Sequence, residues 1–595
     1  MVKPDRRKWI ARCPQQDFNE ANTLKSLKVD CHPPLLLNIA LALQHVMVHA
    51  SLCALVVGAL VPQAEKEKTA ASVFFYSGVS TLLQTCFGSC LPLIQAPSLD
   101  FLVPALVLLC ARAESHAACR GQCDQSEQFE VPAHQLRELQ GMAVVAGLVQ
   151  LSAGLCGVGG AMLTRCGPLV LAPVCCMLGF SIYREAALLC SDHWGFALLT
   201  VVLLVCLSQH LRCWTLSAHL KLPLYPAISM LSVLLSVLLV WVVCAALQHC
   251  GRITPHSASE LLFKDDLNAT PFQDWTTANS SNLLSPDPKA AWFILPLPVW
   301  PIYVSFLHTG LGLPLLSGDS IAAGIAAGLS SCISSQAVYV LTARLLKAPT
   351  PPAQACNRGV SVEGLSSVLA GLMGVPVGLC SSVPNACMTS LSQCGSRATV
   401  QLAAVMLMVL GLFLQLTQLL TSVPLAIHGA VLSVTYTVAA ATGITYLQYT
   451  DVDSGRNIFN TGFTVFMSLV LPRWFRMQSG FIYTGVHSLD IFLQSCLMLP
   501  VFLVSLLAFL LDHTVSGTLS ERGLEQDQST RKIQSLADKP QENSQSLVTV
   551  YDPPQPVRKV LDLPGLRNFP FCACRSLELE KITVASAEMS SLLPQ

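Results

Sequence analysis

No charged side chain occurs between Cys31 and Ala64. A helix needs about 20 apolar residues to cross the hydrocarbon of a bilayer, and an ionised group at that depth is expensive, so such a run has few homes other than a membrane. Further uncharged runs cover 69–99, 141–164, 166–183, 194–211, 222–251, 290–318, 320–343, 364–396, 398–450, 457–472 and 491–511. Hydropathy predicts roughly eleven to fourteen spans, because some runs are long enough for two and Pro and Gly interrupt those near 90–105 and 374–396. Charged residues make up only 12 % of the chain and hydrophobic residues 52 %. That balance excludes a disordered chain and argues against an ordinary soluble enzyme. The 35 basic residues match 35 acidic ones, which leaves nothing to neutralise phosphates and excludes a nucleic-acid partner.

The 25 cysteines look like a disulfide framework until they are located. Most lie in apolar runs, where cysteine behaves as a small hydrophobe. Cys119, Cys123 and Cys250 are the ones placed to meet an oxidising lumen. No cysteine or histidine spacing matches a metal site, and neither cofactor nor metal is expected.

Two signals set the predicted orientation. Residues 1–32 are polar, carry seven Lys/Arg and precede the first span, which favours a cytosolic N-terminus. The N-x-[ST] sequons, Asn268 and Asn279, both fall in the polar loop 249–291, predicted to be extracellular and glycosylated. The spans then divide into 33–248 and 292–511. Residues 512–595 read as a largely disordered cytosolic tail, so both termini are expected inside a multi-pass plasma-membrane protein. Near its end, Glu588 stands four residues before Leu592 and Leu593, the pattern of a signal read by a sorting adaptor.

Chemistry is expected where the spans are broken. Gln95-Ala-Pro-Ser98-Leu99-Asp100 and Cys380-Ser-Ser-Val-Pro384-Asn385 each place Pro and small polar residues inside an apolar run. Half-helices that start at such breaks aim free N–H groups and a positive dipole end at a ligand. Asp100 sits in the first break, and Glu363 leads the apolar run 364–396. Gln44 and His45 are polar residues within the first span. Asp319 and Asp490 lie near span ends and read as solvated caps.

These motifs resemble the nucleobase–ascorbate transporter family, and above all its vertebrate branch of sodium-dependent vitamin C transporters. Gln44-His45, Leu91-Pro-Leu-Ile-Gln95 with Phe101-Leu-Val-Pro104, Asn357-Arg358-Gly359, Glu363-Gly-Leu and Pro384-Asn385 carry the likeness, which extends over residues 33–524. The resemblance implies an all-α polytopic membrane protein of about fourteen spans. These would form two inverted seven-span repeats, with core and gate domains, broken spans three and ten, and homodimer assembly. It implies secondary active transport coupled to Na+ and no enzymatic activity. Substrate contacts are then expected at Gln44, His45, Ser98, Leu99, Asp100, Ser334, Ser335, Gln336, Glu363, Pro384 and Asn385.

The departures from the family pattern bear on the substrate. An acid on span eight is replaced by Ser334, a small apolar residue by Asp100, and a basic position after span ten by Gln393. Loss of a cation and gain of Asp100 disfavour an anion. The expected substrate is therefore a neutral nucleobase, a purine such as hypoxanthine or xanthine. Ascorbate is one alternative, and a non-transporting relative with a regulatory or trafficking role is another.

Overall fold

The computed structural model describes residues 33–120, 133–211, 227–250, 312–478, 481–518, 521–523 and 549–553. The N-terminal tail, the sequons at Asn268 and Asn279, Cys123 and the Glu588–Leu593 motif lie outside the described residues. Cys250 is an exposed free thiol.

The described chain is predominantly helical. Helix α1 (Leu35–Leu60) begins after Pro34 and stops at Val61, which is held extended by the proline that follows it. Helix α2 (Gln63–Cys86) carries Glu65, Lys66, Glu67 and Lys68 in its first turns. Strand β1 (Gln95–Pro97) leads into α3 (Leu99–Arg120). There follow α4 (Ala133–Leu155), the short α5 (Val158–Arg165), α6 (Pro168–Phe180), α7 (Tyr183–Ser191), α8 (Trp194–Val205), the one-turn α9 (Ala227–Met230) and α10 (Ser232–His249).

The second part of the chain opens with α11 (Gly318–Leu345) and α12 (Ala353–Leu372). Strand β2 (Leu379–Ser381) leads into the ten-residue α13 (Val383–Ser392). Then come α14 (Arg397–Leu412), α15 (Leu414–Thr421), α16 (Leu425–Tyr446), α17 (Gly455–Met477), α18 (His487–Met498) and α19 (Pro500–Thr514).

Among the described residues six helices are long and apolar enough to cross a membrane, and up to eight if the bent pairs α14–α15 and α18–α19 each count as one span. The predicted number is higher for a physical reason. Helix α2 is diluted by Ser, Thr and Gln and α13 is short, so neither is a long, strongly apolar helix, and the run 290–318 lies largely outside the described residues.

Small residues let the central helices approach closely. A Cβ on Gly364 of α12 would stand 2.3 Å from the Leu151 nitrogen of α4, and one on Gly147 would stand 2.7 Å from the Gly364 carbonyl oxygen. Such contacts supply packing where lipid offers no hydrophobic drive between helices. Glu363 lies in the middle of α12, one residue from this seam, and not at the head of its span. The helix begins at Ala353, eleven residues before the uncharged run that suggested a boundary.

Candidate functional site

The two broken segments meet. Strands β1 and β2 pair antiparallel, with Gln95 opposite Ser381, Ala96 opposite Cys380 and Pro97 opposite Leu379. The ladder extends one step further, since the Ser382 N–H donates to the Ile94 carbonyl at 2.9 Å. Irregular backbone at this depth needs internal partners, and each break satisfies the other. Helices α3 and α13 leave the two strands, each presenting its N-terminus beside the pair.

Glu363 is fully buried behind the strands. Its Oε1 accepts from the Tyr339 hydroxyl at 2.7 Å, the Ser381 hydroxyl at 2.5 Å, and the side-chain amides of Gln84 and Gln95, each at 3.4 Å. The Ser335 hydroxyl donates to its Oε2. Gln95 also donates to Ser381 at 3.0 Å, closing the network across both strands. The carboxylate is thus occupied by protein donors from α2, β1, α11 and β2.

Asp100 forms a second cluster at the head of α3. Its Oδ1 accepts from Ser330 at 2.6 Å and Ser334 at 3.0 Å, and its Oδ2 accepts from Ser98 at 2.9 Å. A third cluster joins α1 to α13. The His45 Nδ1 lies 3.2 Å from the Asn385 Oδ1, and the Asn385 amide donates to Ser382 at 2.9 Å. Pro384 is buried in the first turn of α13, where its missing N–H costs nothing.

A cavity of about 30 Å³ lies beside Asp100, lined also by Ser98, Leu99, Val383, Tyr436, Glu185 and Arg476. That is room for about two ordered waters at ~15 Å³ each. Arg476 and Glu185 face each other at 3.8 Å. The lining thus holds two carboxylates against one guanidinium.

A model of the permease family matches residues 37–477, which include all three clusters. The chain belongs to the nucleobase–ascorbate transporter family. It is 39 % identical to mouse solute carrier family 23 member 3 over 558 residues, covering 88 % of this chain and 84 % of the relative. It is 25 % identical to nucleobase-ascorbate transporter 1 of Arabidopsis thaliana over 517 residues, covering 83 % of this chain and 90 % of that protein. Among solved structures, the murine solute carrier 26 family member A9 anion transporter in the inward-facing state is similar with a TM-score of 0.43 at 11 % identity, covering 79 % of this chain and 68 % of that one. Membership of this nucleobase–ascorbate family makes the chain a multi-pass membrane transporter and not an enzyme.

The geometry changes how two departures from the family pattern are read. The acid that the resemblance implies on span eight is absent at Ser334, yet Asp100 lies directly across, within hydrogen-bond distance of that serine. On the pattern that the resemblance implies, a carboxylate leaves α11 and one enters on α3 within hydrogen-bond reach of the vacated position. Gln393 is different. It sits past the last residue of α13 with a left-handed φ of 54° and donates to the Ser390 carbonyl at 2.7 Å. At 1.5 Å per residue that is about 15 Å from the head of the helix. A charge lost there says little about the cavity.

Two expected contacts point elsewhere. The Gln44 amide donates to the Met230 carbonyl at 3.0 Å and accepts from the Leu234 N–H at 3.1 Å, so it ties α1 to the break between α9 and α10. Gln336 lies against α5, its amide nitrogen 3.0 Å from where a Cβ on Gly159 would stand. Asp319, read as a solvated cap, is 8 % exposed and accepts from Ser488 at 2.7 Å, with Arg112 at 3.3 Å. Sequence reasoning missed Gln84, Ser330, Tyr339 and Ser381. Two of them carried a signal: Ser330 lies four residues from Ser334 and shares its helix face, and Ser381 lies in the second broken segment.

Proposed function

We propose that the chain is a secondary active transporter that carries a neutral nucleobase, a purine, together with Na+. The observation that supports this reading is the Asp100 cluster. A buried carboxylate without a facing cation is costly, and three hydroxyls ease but do not cancel that cost. The carboxylate and hydroxyl oxygens form the hard, oxygen-only environment that suits Na+ as a transported ion. With one cation bound there, the surplus negative charge of the lining is neutralised. A neutral base then meets no electrostatic penalty, whereas an anion such as ascorbate finds no spare positive charge. Ser98, Ser334 and the N–H groups at the heads of α3 and α13 supply donors and acceptors for a base edge, with Leu99 as an apolar wall.

In this reading Glu363 is a strut that holds the two strands in register. The cavity is far smaller than a purine, so loading requires the walls to separate, as alternating access does. His45 and Asn385 join α1 to the head of α13, and that joint moves with the second half-helix. We further assign the chain to the plasma membrane with both termini cytosolic, glycans at Asn268 and Asn279, a homodimeric assembly, and adaptor recognition at Glu588, Leu592 and Leu593. The deciding experiment is uptake of labelled purines, pyrimidines and ascorbate in oocytes, with sodium and without. Sodium-dependent purine uptake is expected. Ascorbate uptake without purine uptake would overturn the substrate, and silence on all at proven surface expression would overturn transport.

A further inference from the structure

Residues 549–553 lie far along the chain from the helical body, yet they are seated on it. Thr549–Tyr551 forms one 3-10 turn. Tyr551 is only 5 % exposed, and Val550 and Tyr551 join a cluster that includes Leu91, Ala355, Cys356 and Val360. The Tyr551 hydroxyl donates to the Pro349 carbonyl at 2.5 Å, in the connection between α11 and α12. The Tyr551 carbonyl accepts from Arg358 Nη2 at 2.8 Å. The same guanidinium donates from Nε to the Gly88 carbonyl at 3.2 Å, in the bend that follows α2.

This is a built receptacle. Arg358 is 5 % exposed, and a buried guanidinium needs acceptors aimed at it. The bend after α2 provides one carbonyl, at the negative end of that helix's dipole, and the tail provides another. A tyrosine ring fills the apolar part of the groove while its hydroxyl finds a backbone oxygen, the two-ended fit that suits this side chain. Upstream, Gly523 stands against Pro168 and the Tyr449 carbonyl, at the turn after α16. The tail therefore contacts the body at two separate places, and the second contact depends on a few side-chain and carbonyl bonds.

We propose that residues 549–553 are a docking peptide and that the groove between Pro349, Arg358 and Gly88 is its receptor. The segment is a releasable latch that holds the α11–α12 connection against the bend after α2. Releasing it uncovers Cys356, which is fully buried one helical half-turn before Arg358.

The test is mass-spectrometric N-ethylmaleimide labelling of the full chain in membranes, so it reads the latch without any substrate. In Tyr551→Ala, labelling of Cys356 should accelerate by about tenfold or more, the mark of a local opening. A synthetic peptide spanning residues 545–555, added in excess, should slow it again. Tyr551→Phe keeps the ring and loses only the hydroxyl bond, so it should lie between. Cys387, buried in α13, should stay protected in every case. Truncation after residue 553 should leave Cys356 protected, and truncation after 545 should expose it. Unchanged Cys356 labelling in Tyr551→Ala would overturn the proposal. So would joint labelling of Cys356 and Cys387 in both Tyr551→Ala and the longer truncation, because the segment would then belong to the fold itself.

Discussion

Strand β1 runs into a 22-residue helix whose second residue is Asp100, whereas β2 runs into a ten-residue helix whose third residue is Asn385. The backbone device is shared: a short strand, paired with its counterpart, followed by a helix N-terminus. The side chains differ in kind. The first unit carries a carboxylate bridged by three serines to itself and to α11. The second carries a neutral amide bridged to a histidine of α1. Only the first lines the cavity with an ionisable group. The difference teaches that a common scaffold sets the positions of two helix ends, while one side chain at each end decides whether the place suits an ion or a joint between helices.

The largest effect is expected where the two units are tied together. Glu363→Ala removes the acceptor shared by Gln84, Gln95, Ser335, Tyr339 and Ser381, leaving the buried hydroxyls of Ser335, Tyr339 and Ser381 without the acceptor they donate to. Breaking such a network costs about 3–5 kcal/mol. The melting midpoint of the detergent-purified protein should fall sharply, and uptake should vanish. Glu363→Gln keeps one acceptor oxygen and should fall less. A midpoint unchanged in both variants would show that the strands hold their register without this strut.

The second test asks whether the carboxylate has moved between helices. Ser334→Asp alone sets two carboxylates against each other, and at about 4 Å with an effective dielectric of 20 their repulsion is about 4 kcal/mol. Sodium-dependent uptake should drop by several hundredfold or more. Adding Asp100→Ser should return it to within about tenfold of the parent chain, because neighbouring groups couple by as much as ~3 kcal/mol. A double variant no better than the single one would break the exchange reading.

The scaffold was more legible in the sequence than the site. Pro97 and Pro384 inside apolar runs mark the two breaks, because proline is disfavoured in the interior of a continuous helix, whereas Pro104 lies within α3 and marks none. That the breaks pair as strands is a long-range fact that no local pattern carries, since Gln95 and Ser381 come from opposite halves of the chain. The same separation hid the meaning of Asp100 and Ser334. Read one at a time they look like a loss and an unrelated gain, but the Ser334 hydroxyl and the Asp100 carboxylate lie 3.0 Å apart. Gln84 and Tyr339 gave no sign, because a lone polar residue on an apolar helix reads alike whether it faces a neighbour or a buried acid. The run that begins at residue 364 misplaced Glu363 by half a helix, since a helix that buries Asn357 and Arg358 need not start where charge ends.

A third prediction isolates the ion. Asp100→Asn keeps the shape of the first unit and removes its charge. The lost interaction is the attraction between a cation and a carboxylate, up to about 4 kcal/mol at about 4 Å with an effective dielectric of 20, so the sodium concentration for half-maximal uptake should rise by about tenfold to a hundredfold. Purine affinity measured at saturating sodium should change much less. An equal loss in both would place the carboxylate on the base and not on the ion.

The smallest effect is expected in the second unit. Asn385→Ala removes a neutral amide whose two bonds join His45 to Ser382. Neutral hydrogen bonds are each worth about 0.5–1.5 kcal/mol net, and the histidine left behind can turn toward water when the site opens. Uptake should fall by about threefold to tenfold, with the sodium dependence unmoved, because no charge is altered. Asn385→Asp sharpens the point. It preserves the acceptor facing His45 but puts a carboxylate on the second helix end, making the two units alike in charge. If the ion is bound only where Ser98, Ser330 and Ser334 surround the acid, this variant gains no second sodium, and the Hill coefficient for sodium stays as in the parent. A rise in that coefficient would show that the acid alone recruits the ion and that the three serines add nothing, which would undo the contrast between the two helix ends.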